Sequence, residues 1–115
     1  MQVTHKNKPW IFSGDVSGEI VSPGLKRTVM AFCDELMCVK FEFEEGAVGA
    51  LHSHPHTQVC YVISGRYRFT MGDETKEISQ GDSLYIKSGI EHGCVCLSKG
   101  TVIDYFTPMR EDFIK

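Results

Sequence analysis

What this chain lacks narrows it first. No apolar run approaches the roughly 20 residues that a membrane span requires, so no membrane partner is expected. Residues 1–10, MQVTHKNKPW, hold no apolar core of a secretory signal, which gives a cytoplasmic expectation. Positive charge is not in excess: 12 Lys and Arg stand against 15 Asp and Glu, a net charge of −3. Such a balance offers nothing to nucleic acid. Repeats and low-complexity tracts are missing, and no segment has a helical hydrophobic period of useful length. Cysteine is present but odd in number, at positions 33, 38, 60, 94 and 96. These read as reduced thiols packed as small apolar residues. Cys94 and Cys96 make a C-x-C pair without a second pair to complete a zinc knot.

What is there is short, alternating and punctuated by glycine. A length of 115 residues with 42% hydrophobic content is one domain with a core of its own. Residues 27–33 and 36–44 form a hairpin pattern around Asp34 and Glu35. Val39, Phe41 and Phe43 alternate there with Lys40, Glu42 and Glu44, as in a half-buried strand. Further strands are expected at 48–54, 58–64, 66–71, 75–79, 83–87, 92–98 and 101–106. Tyr67, Phe69 and Met71 supply core, and Arg66 and Arg68 a solvated face. So many short strands with close turns specify an all-β sandwich or barrel. Residues 1–26 are less regular and read as an N-terminal arm or edge strand ahead of a barrel domain at 27–115.

Chemistry concentrates at His52, His54, Gln58 and His92. Histidines at i and i+2 on a strand share a face. With Gln58 and a histidine from a later strand they offer three imidazoles and an amide oxygen. That set suits one divalent transition metal, with Fe, Ni, Mn, Zn and Cu all compatible. A neutral amide leaves more positive charge on the ion than a carboxylate would, which favours Lewis-acid chemistry over high-valent iron. Pro55 interrupts strand geometry before His56, placing His56 at the pocket wall rather than among the ligands. Asp104 interrupts the apolar run Val102-Ile103-Asp104-Tyr105-Phe106. A buried carboxylate is costly unless paired or used. If its face is the inner one, Asp104 points at the metal chamber as a general acid or base. The alternative is an outward Asp104 paired with Arg66 or Arg68. Arg110 follows Pro108 where the chain leaves the barrel. It is placed to hold a substrate carboxylate, or else pairs with Glu111 or Asp112 on the surface. Tyr85 belongs either to the pocket lining or to the core.

Two motifs in these residues resemble the cupin superfamily. Gly46, His52, His54, Gln58 and Gly65 match the spacing of its first motif, and Gly81, Gly89 and His92 that of its second. The departures are Gln58 for glutamate, Lys87 for proline and Cys96 for asparagine. Lys87 is expected to loosen the turn before His92. The resemblance implies a double-stranded β-helix, the jelly-roll barrel, with the metal inside. It implies a homodimer as well, since such barrels expose edge strands that a second chain can cover. HSHPHTQ, GDSLYIKSGIEH and DYFTPMR together resemble the KdgF-type single-domain cupins of pectin and alginate breakdown. That resemblance implies ligation by His52, His54, Gln58 and His92. It also implies catalytic or binding roles for Asp104, Phe106 and Arg110. The activity it implies is ring-opening of 4,5-unsaturated monouronates, small-molecule acids, to the keto form. A non-enzymatic metal-dependent binder or sensor, and a cupin dioxygenase, are the competing readings.

Overall fold

The computed structural model describes residues 2–115. Ten strands follow in chain order: β1 (Glu19–Ser22), β2 (Leu25–Phe32), β3 (Met37–Phe43), β4 (Val48–His52), β5 (Thr57–Val62), β6 (Arg66–Met71), β7 (Glu74–Ser79), β8 (Ser83–Ile86), β9 (His92–Ser98) and β10 (Gly100–Thr107). The helical content among the described residues is two single 3₁₀ turns, Ser13–Asp15 and Glu111–Phe113. All pairings are antiparallel. One sheet runs β1-β2-β3-β10-β5-β8 and the other β4-β9-β6-β7. This is the all-β barrel that the alternation predicts, in the jelly-roll form that the cupin resemblance implies.

The two-residue side-chain period decides what the sheets enclose. Val39, Val62 and Ile86 are wholly buried and Tyr67 nearly so. Each such aliphatic side chain contributes about 1.5–3 kcal/mol. One core cluster gathers Leu25, Phe43, Val62, Tyr67, Cys96 and Val102. A second gathers Val29, Phe32, Met37, Val39, Phe106 and Phe113. No cysteine is in a disulfide, and Cys60 and Cys96 are buried core residues.

Three placements differ from expectation. β4 stops at His52, so His54 lies beyond the strand rather than two residues along it. Pro55 has no N–H to continue a ladder, and the register already shifts between Gly49 and His52. The boundary expected at residue 26 falls at the second residue of β2, while the edge strand expected ahead of it is present as β1, paired with β2 at the rim of the larger sheet. Tyr85 neither lines the pocket nor joins the core. Its neighbour Ile86 turns inward at 0% exposure, so the strand period sends Tyr85 outward, 60% exposed.

Candidate metal centre

β4 and β9 bring the first two ligands together. Their register sets His52 directly opposite His92. The pairing depends on Gly93, where a Cβ would sit 2.7 Å from the Gly49 carbonyl oxygen, far inside van der Waals contact. His54 arrives from the loop after β4. That loop is tied to the turn before β9: Gly89 N–H donates to the His54 carbonyl at 2.9 Å. Gly89 takes a φ of +80°, which glycine adopts without strain. Ile90 N–H closes the same turn on the Lys87 carbonyl at 3.1 Å. The turn is therefore held without the proline that Lys87 replaces.

The three ring centroids lie 4.4 to 5.5 Å apart, and one ligand atom from each histidine falls within 4.8 Å of the others. Each Nδ1 is engaged by a backbone carbonyl: His52 by Ala50 at 2.8 Å, His54 by His56 at 3.1 Å, His92 by Ile90 at 2.9 Å. A carbonyl only accepts, so every Nδ1 carries the proton and every Nε2 presents a lone pair. The His92 Nε2 is buried without a partner. The His54 Nε2 faces the Gln58 Oε1 at 3.0 Å, two acceptors in contact with no proton between them. The orphaned His92 Nε2 and the opposed His54 and Gln58 acceptors fit a cation, which the three grouped histidines would hold with the Gln58 oxygen beside them.

Burial keeps the set ready. His54 is pushed down to about 4, first by burial and then by the Arg110 charge. His92 is lowered as well, mainly by burial. Both imidazoles stay neutral, as ligation requires. Phe69 stacks parallel to the His92 ring at 6.3 Å, and Phe106 meets the His54 ring edge-on at 5.6 Å.

A chamber of about 350 Å³ opens beside these ligands, lined by His52, Gln58, His92, Asp104, Phe106 and Arg110 among others. Asp104 is turned inward, 7% exposed, opposite Cys60 on β5. Burial raises its carboxyl to about 6, against the opposing help of hydrogen bonds from Gln58 and Cys60. Its Oδ1 is buried and unpartnered. By holding the Gln58 amide nitrogen, Asp104 also aims the Gln58 oxygen at the ligand cluster. Arg110 is buried, yet it does pair with Asp112: Nε and Nη2 donate to the two carboxylate oxygens at 3.0 and 2.8 Å. Its guanidinium rests over Phe106 and Phe113 at 5.0 and 4.1 Å.

His56 does not line the chamber; it backs His54, its carbonyl accepting from the His54 Nδ1 and its ring meeting that ring edge-on at 5.4 Å. Its Nε2 binds the Met109 carbonyl at 3.1 Å, and it borders a surface recess with Lys6, Asp34 and Asp112. A substrate contact for His56 finds no support in that position, since the ring serves the loop that leads to Arg110. One chamber residue escaped the sequence reading altogether. Arg27 lies on the inner face of β2 and lines the chamber. Its signal was present in the alternation, between the buried Leu25 and Val29.

A cupin domain family model, Cupin_2, matches residues 39–105. Over 108 residues the chain is 35% identical to the pectin degradation protein KdgF of Dickeya dadantii, spanning 92% of this chain and 91% of that protein. Among solved structures it resembles an RmlC-like cupin from Shewanella frigidimarina, with 38% identity and a TM-score of 0.90 over 94% of this chain and 97% of that one. KdgF from Halomonas sp. superposes with a TM-score of 0.87 at 32% identity, covering 93% and 99% of the two chains.

Proposed function

The chain belongs to the cupin family, and from that premise we propose a metal-dependent enzyme that opens 4,5-unsaturated monouronates to their keto form. The observation that carries the reading is Asp104, a buried carboxyl with one unpartnered oxygen, beside three converging Nε2 atoms. The similarity to two KdgF proteins, one named for pectin degradation, supports the substrate class.

The reaction is an isomerisation. The bond from C1 to the ring oxygen breaks, the C1 hydroxyl loses its proton and becomes the aldehyde, and C4 of the enol gains a proton as C5 becomes the ketone. Nothing is added or lost. A divalent metal held by His52, His54, Gln58 and His92 would supply Lewis-acid polarisation of a substrate oxygen. Asp104 moves the proton: with its carboxyl raised to about 6, it both gives and takes a proton near neutral pH. Arg110 binds the substrate carboxylate. Asp112 occupies Nε and Nη2, so the Nη1 hydrogens remain for the ligand. Phe106 gives an apolar wall. A cytoplasmic homodimer remains the expectation for the assembly, and light scattering after size-exclusion measures its mass. The test of function is proton NMR: metal-loaded protein mixed with the unsaturated monouronate should remove the olefinic ring signal faster than buffer. An unchanged rate rejects the reading.

A further inference from the structure

We propose that Arg27 is a second binding residue for the substrate carboxylate, acting with Arg110 to make the chamber selective for a sugar acid over a neutral sugar. The proposal takes only the substrate class from the uronate reading. Arg27 sits on β2 opposite Glu19 of β1 and Phe41 of β3. Its side chain is only 17% exposed, and it shares the chamber with Gln58, Asp104 and Arg110. A guanidinium on an inner barrel face is as anomalous as the carboxyl of Asp104, because burying it costs energy unless it is paired or used.

The two arginines converge on one ring. The Arg27 guanidinium carbon is 4.0 Å from the Phe113 centroid and that of Arg110 is 4.1 Å from it. Their separation therefore cannot exceed about 8 Å, the two distances laid end to end. Both side chains also line the one chamber, so a carboxylate bound there lies in the field of both charges. Neither arginine is exhausted by its present partner. Arg27 spends one Nη2 bond on Glu19 at 2.9 Å and Arg110 spends Nε and Nη2 on Asp112, out of five donors each.

Burial lowers the Arg27 guanidinium, and the nearby Arg110 charge lowers it further, so an anion in the chamber relieves a repulsion already present.

The probe is D-galacturonate, a saturated uronate with no C4–C5 enol to convert to the ketone, titrated by calorimetry into metal-loaded protein beside neutral D-galactose. Arg27→Gln should weaken galacturonate about tenfold or more, the size of a lost charge-assisted contact, and leave galactose unchanged. Arg27→Lys, which keeps charge but loses the fork, should fall between. An R27Q protein that binds galacturonate as the parent does would overturn the proposal. So would equal loss of both sugars, which marks a purely structural role in holding Phe113. A parent protein with no preference for the acid also overturns it. Because the probe has no enol to ketonise, its binding is read without net conversion, and failure of the ketonisation assay leaves these outcomes readable.

Discussion

Asp104 has two jobs that one substitution separates. In the proposed reaction its carboxyl supplies the mobile proton, while its contact with Gln58 orients an amide oxygen toward the histidine cluster. Asparagine keeps an acceptor for the Gln58 amide but has no proton to exchange at neutral pH. Asp104→Asn should therefore retain metal at the parent stoichiometry and bind uronate. Turnover should fall by about 10²–10⁴-fold, the usual worth of positioned proton transfer. Metal analysis together with the NMR rate checks this. Loss of metal along with rate would show that orientation, rather than proton transfer, is the residue's main contribution. The same variant discriminates the enzyme from a metal-dependent binder, which would keep its ligand affinity and has no rate to lose.

At the scale of elements, the site depends on how closely β4 approaches β9. Gly93→Ala would set a methyl 2.7 Å from the Gly49 carbonyl oxygen and 3.0 Å from the Leu51 nitrogen. Both are backbone atoms that cannot rotate away. The strands must separate, and the His52–His92 pairing goes with them. The expected result is weakened metal binding together with a stability loss of about 1–3 kcal/mol, read by metal titration and thermal melting. Parent-like affinity would mean that the ligands tolerate a wider strand gap. Strands such as β3 and β6 were legible because alternation reports a sheet with one wet face, and the candidate ligand residues because their spacing is specific. His54 was legible as a ligand but not as a loop residue, since ending a strand at Pro55 is a ladder property rather than a side-chain pattern. Tyr85 was misplaced because a four-residue strand offers too few positions to fix its phase. Arg27 was passed over because its partner Glu19 and the ring of Phe113 meet it only in three dimensions.

The whole molecule registers the site through protons and metal. In metal-free protein, His54 titrates near 4 but near 6.5 once unfolded. Between those values the unfolded chain holds a proton that the folded chain lacks, so stability falls as pH drops from 6.5 to 4. Asp104 works the other way. Raised from 3.8 to about 6, it keeps a proton that the unfolded chain has released, so its contribution is lost as pH rises through that interval. The two slopes oppose each other at no more than about 1.4 kcal/mol per pH unit each. Asp104→Asn removes one of them, and the melting temperature of that metal-free variant should drop more steeply from pH 6.5 to 4.5 than the parent's; parallel curves contradict the assignment.

Metal acts on the same balance. A ligand set assembled from β4, β5, β9 and the His54 loop exists only in the folded chain, so an ion that binds it stabilises the fold by mass action, about 2.7 kcal/mol at a hundred times Kd. For a domain of this size that corresponds to roughly 10 °C in Tm. A chelator should lower the melting temperature by that order and added metal should restore it. In His52→Ala, which leaves the buried core untouched, the chelator shift should shrink or vanish. An equal shift in the variant would place the stabilising ion somewhere other than these four side chains.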